Sequence, residues 1–105
     1  MKYDYDLIWA KKNSSESPDL LRDSVAYVDE NISVARRYAM QILLNPSKKS
    51  KGWKYGTIEI YTGFYDYVGT VYFEKNQWKW HTPAGKIYAL KMDGTLGKII
   101  GKDRW

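Results

Sequence analysis

Glu59, Glu74 and His81 are the side chains of this sequence best suited to moving a proton, two carboxylates and the only imidazole. Working together, such a set would serve a small hydrolase as general acid and base. That requires all three to converge in one cleft, and nothing in their spacing brings them together. A serine-nucleophile arrangement would have to use the same histidine, and no Gly-x-Ser-x-Gly turn is present. With His81 flanked by Trp80 and Thr82 at a strand end, a structural role is the simpler reading. No catalytic residue is assigned.

Metal and phosphate chemistry fare no better. The chain has no cysteine, which removes thiolate zinc sites, redox pairs, disulfides and cysteine nucleophiles together and fits a reducing compartment. Asp4 and Asp6 share a face of the first strand, but two carboxylates are a small nucleus for a metal site. Gly94-Thr95-Leu96-Gly97-Lys98 has a phosphate-loop flavour, yet Met92 stands where the first glycine belongs and Ile99 where Ser or Thr should follow the lysine. A hairpin turn is the plain reading. No metal and no cofactor is expected.

The uneven charge map points to binding. Residues 1–34 carry a net charge of −3, residues 35–57 carry +6 with no acid among them, and residues 58–105 carry +2, within a total of +5. Arg36, Arg37, Lys48, Lys49, Lys51 and Lys54 supply the central excess, with Trp53 among them. If both arginines lie on the outward face of a helix and the lysines follow its carboxyl end, they form one basic surface favoured by the helix dipole. A basic loop with an aromatic ring grips a phosphate backbone and stacks on exposed bases. The leading expectation is therefore a non-enzymatic module that contacts nucleic acid through these seven residues. The plain alternative is that Lys and Ser keep a loop solvated while Trp53 opens the next strand.

An acidic protein surface is the other partner this charge fits. Ten tyrosines and five tryptophans also suit a protein-interaction or inhibitor module that uses a Tyr/Trp-rich sheet face or a free sheet edge. The longest apolar run is four residues, against roughly 20 needed to span a bilayer, so neither a membrane nor a metal is among the expected partners. The first residues alternate aromatic and acidic side chains without the basic and apolar regions of a secretory signal, which predicts a cytoplasmic protein. Asn13-Ser14-Ser15 and Asn31-Ile32-Ser33 match the glycosylation pattern, as chance matches in such a protein.

The elements that must position these residues make one α+β domain over residues 1–105, with surface loops at 13–19 and 47–52. Tyr3, Tyr5, Leu7 and Trp9 recur at a period of two and predict a first strand over residues 2–11. Residues 20–28 admit two readings. Spacings of four and three from Leu21 to Ile42 suit one long helix over 19–44, whereas the β-branched stretch 24–28 before Asp29-Glu30-Asn31 suits a short strand and then a helix over 30–44. In either case Ile32, Ala35, Ala39 and Ile42, beside Tyr38 and Leu43, form the apolar stripe, and Ser33, Arg36, Arg37 and Gln41 face away. Asn45-Pro46 ends the helix.

Strands follow at 54–62, 67–74, 77–82, 86–92 and 96–100, separated by turns at Lys75-Asn76, Thr82-Gly85 and Asp93-Gly94. The fold expected is an antiparallel meander of four to six strands packed on one principal helix. Its reverse face would present Tyr61, Tyr72 and an edge of the Trp78/Trp80 pair. The run Tyr27-Val28-Asp29-Glu30-Asn31-Ile32-Ser33-Val34-Ala35-Arg36-Arg37-Tyr38-Ala39 resembles the strand, cap and Ala-x-x-Tyr-Ala helix of small uncharacterised α+β proteins of bacteria and their phages. That resemblance implies a compact bacterial or prophage accessory protein and assigns no functional residue.

Overall fold

The computed structural model describes residues 2–10, 20–28, 31–45 and 55–102. Among the described residues, seven strands form one sheet: β1 (Lys2–Ala10), β2 (Leu20–Val28), β3 (Tyr55–Thr62), β4 (Tyr67–Glu74), β5 (Gln77–His81), β6 (Lys86–Leu90) and β7 (Leu96–Lys102). Their order is β2-β1-β3-β4-β5-β6-β7, and every neighbouring pair is antiparallel. The strand reading of residues 20–28 is the one observed, and it extends over nine residues. With both terminal strands joining, the sheet exceeds the four to six expected. The meander is real only from β3 onward, because β1 lies between β2 and β3.

The helix α1 (Ile32–Leu44) packs on one face of this sheet. Asn31 starts it, accepting a hydrogen bond from the Ser33 amide at 2.9 Å, as a capping asparagine does. Asn45 closes it with its backbone and side-chain nitrogens on the Gln41 carbonyl. No described helix is long and apolar enough to cross a membrane.

Period-two alternation fills the core beneath the helix. Tyr3, Tyr5 and Leu7 of β1, Ile58 and Ile60 of β3, Val71 of β4, Trp80 of β5 and Leu90 of β6 are all buried there. Ala35 and Ala39 are fully buried, their small side chains letting the helix lie close enough for the Tyr5 hydroxyl to donate to the Ala35 carbonyl at 2.6 Å. The Trp80 ring occupies the centre. A Cβ on Gly69 would stand 2.3 Å from its Cζ2 atom, so only glycine lets the indole lie flat on β4. The expectation that a Trp78/Trp80 edge shows on the reverse face is thus corrected: Trp80 is buried and Trp78 packs against the same core.

The helix stripe is rotated from the expected one. Arg36 and Met40 join Ala35 and Ala39 against the sheet, while Tyr38 turns outward and is 42% exposed. Positions 32, 35, 36, 39, 40 and 43 follow the i, i+3, i+4, i+7 rule as well as the apolar set does. What shifts the helix is an arginine on its inner face with partners waiting for it.

A candidate binding groove on the open sheet face

The helix covers one face of the sheet, and the opposite face carries the alternate residues of the same strands. The register places Asp6 of β1 opposite Glu59 of β3, Glu59 opposite Thr70 of β4, Thr70 opposite His81 of β5, and His81 opposite Ile87 of β6. From Glu59 to Ile87 this row runs across an open groove of about 800 Å³, closed at one side by the Thr82–Gly85 turn, with Asp6 beyond its lining. Thr57, Tyr67 and Tyr72 line it as well, with Lys102 at its β7 border.

One of these positions contradicts simple alternation. Continuing the period of two from Tyr72 and Thr70 would send Tyr67 to the helix side. A register shift between Ile60 and Tyr61 inserts Val68 as an extra residue, and such a bulge re-aims the side chains beyond it. Tyr67 therefore lies in the groove, where its hydroxyl is hydrogen-bonded to Thr70 Oγ1. Its ring lies 5.6 Å from that of Tyr61.

The border of the groove on β1 and β3 is electronegative. The Tyr61 hydroxyl donates to Glu59 Oε2 at 2.7 Å. That bond, with burial and then the charges of Glu59 and Asp6 behind it, pushes the Tyr61 phenol up to about 12 from an ordinary 10.0. Burial raises the Tyr67 phenol too, against the opposing hydrogen bond from Thr70 and with help from Glu59. Among the described residues Asp4, Asp6 and Glu59 have no ion-pair partner. By contrast Glu74 is neutralised by Lys79 at 3.0 Å.

The acid–base trio suggested by residue type does not assemble. Glu59 and His81 line the groove on strands separated by β4, roughly 10 Å apart at the backbone given the usual strand spacing, and Glu74 is outside the lining. No group of three or more metal-ligating side chains occurs among the described residues.

Of the seven residues expected to grip nucleic acid, two are described. Arg37 is exposed on the helix. Arg36 does not face away: it is 6% exposed, its Nε donates to the Gly94 carbonyl at 2.8 Å, and its Nη2 donates to Ser33 Oγ at 3.2 Å. Its guanidinium sits 5.0 Å from the centre of the Trp80 ring. Burial holds its pKa below the usual guanidinium range, with Tyr3 opposing. Two arginines adjacent in a helix point about 100° apart, so the burial of one leaves the other at the surface. Lys48, Lys49, Lys51, Trp53 and Lys54 lie outside the described residues.

Residue type singles out Glu59, His81, Tyr61 and Tyr72 separately but gives no reason to group Thr57, Tyr67, Thr70 and Lys102 with them. The signal in the sequence is polar alternation within each strand; what joins the strands is register. The chain matches no family model, no curated protein and no solved structure.

Proposed function

We propose that the protein is a non-enzymatic binding module that holds an extended, Arg- or Lys-bearing segment of a partner protein on its open sheet face. The observation that carries this reading is the Asp4, Asp6 and Glu59 strip, without an ion-pair partner among the described residues, beside the Tyr61 and Tyr67 rings. A cation laid over those half-buried rings gains roughly 0.5–2 kcal/mol, and a charge-assisted bond to Glu59 contributes about 1.5–3 kcal/mol. Thr57, Thr70, His81 and Ile87 line the rest of the groove, along which the segment's backbone and neighbouring side chains would lie.

Titration of an isotope-labelled chain with a short arginine-containing peptide and with its glutamate counterpart tests this. The arginine peptide is expected to shift resonances of Asp6, Glu59, Thr70 and His81, and Glu59→Gln to weaken it about tenfold. In the same variant the Tyr61 phenol should titrate nearer 10.0 than 12, because its main hydrogen-bond acceptor has lost its charge. Equal binding of the glutamate peptide, or shifts confined to other surfaces, would defeat the reading.

A second reading rests on Arg37, whose exposure at the helix surface leaves it able to join the lysines of residues 48–54 on a phosphate backbone. It predicts oligonucleotide affinity that falls steeply with salt, and a shallower salt slope in a Lys48/Lys49/Lys51→Glu variant. No oligonucleotide binding at low salt would eliminate it.

A further inference from the structure

Three hairpin turns of this sheet are built alike, and one is anomalous. In the turns 62–66, 82–86 and 91–95 the first amide donates to the fifth residue's carbonyl and the fourth amide donates to the first carbonyl. The fourth residue has positive φ in each. It is Gly85 at 87° and Gly94 at 91° in two of them, but Tyr65 at 66° in the first. A side chain in that region is strained where glycine is not. The turn is nonetheless well tied, since Thr62 Oγ1 also accepts from the Phe64 and Asp66 amides. It presents Phe64 at 88% exposure and Tyr65 at 85%.

These rings are not isolated on the surface. Successive antiparallel strands put the β3–β4 and β5–β6 turns at one end of the sheet, roughly 10 Å apart. The second tip is Pro83-Ala84, both exposed. Next to it Lys86 of β6 stands directly opposite Lys102 of β7. Like charges so placed repel, both lysines are exposed, and neither has an ion-pair partner among the described residues. The opposite end carries Lys75-Asn76 and Met92-Asp93, where Asp93 is bonded to Thr95 and Gly94 is packed on the helix.

We propose that the end of the sheet bearing Phe64, Tyr65, Pro83, Ala84, Lys86 and Lys102 seats on an anionic lipid surface. Paired aromatic rings on a rigid tip suit the headgroup region, where amphipathic rings partition. The lysine pair, which outweighs the exposed Asp66 of the neighbouring tip, supplies the attraction to acidic headgroups that its own fold leaves unanswered. Such contact lies on the surface and needs no spanning helix. It shares Pro83, Ala84 and Lys102 with the groove's lining but uses none of Asp4, Asp6, Glu59, Tyr61 and Tyr67, and its test needs no groove ligand.

The test is sedimentation of the full chain with vesicles of phosphatidylcholine alone and with about 30% phosphatidylserine added. The chain is expected to partition into the mixed vesicles and far less into the neutral ones. A Phe64→Ser/Tyr65→Gly variant should lose about tenfold or more of that partitioning, while melting no lower than the parent because glycine relieves the turn. Lys86→Gln/Lys102→Gln should remove the phosphatidylserine preference. Partitioning unchanged in the aromatic variant overturns the proposal, as does a preference unchanged in the lysine variant. Absence of sedimentation with either vesicle overturns it too, in favour of a protein pocket as the receiver of the two rings.

Discussion

Gly94→Ala is expected to destabilise the protein by about 2–5 kcal/mol, out of the roughly 5–15 kcal/mol available to a chain of this size. Two independent penalties combine. The residue holds φ +91°, a region that costs an L side chain about 1–2 kcal/mol. The new Cβ would also stand 1.8 Å from the Ser33 carbonyl oxygen and 3.0 Å from the Arg37 amide nitrogen, and overpacking of that kind costs about 1–3 kcal/mol. Both neighbours are helix backbone, so relief requires the helix or the turn to move. Moving the turn carries away the Gly94 carbonyl that receives Arg36 at 2.8 Å. Thermal melting should show a drop of well over 5 °C at about 4–8 °C per kcal/mol. Gly85→Ala, with a similar φ of 87° in a turn that borders the open groove, isolates the dihedral cost and should lose only about 1–2 kcal/mol. Equal losses in the two variants would show that the helix contact contributes nothing.

Arg36→Met is expected to cost about 2–4 kcal/mol in denaturant unfolding, because it leaves the Gly94 carbonyl without its donor and empties the place over the Trp80 ring. Methionine retains much of the apolar stem and removes the desolvation of a buried charge, which keeps the loss below the upper end for a broken buried network. Arg36→Lys should recover only part of it. A lysine carries a point charge rather than a planar fork, so it cannot stack on the indole while donating to both Gly94 and Ser33. The same variants separate structure from recognition. Oligonucleotide affinity of correctly folded Arg36→Met should match the parent, whereas Arg37→Met should weaken any binding that uses the helix surface. Weakening by Arg36→Met to the same degree would return Arg36 to the binding surface.

Much of the fold is legible in the sequence because the strands carry their own punctuation. Residues 67–74 are bounded by turn residues on both sides, and β4 occupies that span. Asp93-Gly94 marks a hairpin for the reason that it makes one, the positive φ at Gly94. Residues 20–28 are ambiguous in isolation because their apolar spacing satisfies both periods; cross-strand pairing with β1 along the whole length decides for the strand. Tyr67 cannot be placed by alternation at all, since the bulge at Val68 arises in the pairing of β4 with β3.

The charge segregation, the absence of cysteine chemistry, the helix with its Asn31 cap and the succession of strands are determined by the sequence itself, because each depends on residues near one another in the chain. The assignment of every polar residue to a use is left to tertiary structure. Arg36 becomes an internal anchor since Gly94, 58 residues away, offers a carbonyl where the helix meets the sheet. Glu59, Thr70 and His81 come to line one groove, with Asp6 next to Glu59 outside it, since antiparallel register sets them side by side. A charge count cannot distinguish a buried guanidinium from a solvated one; only the packing that removes it from water does.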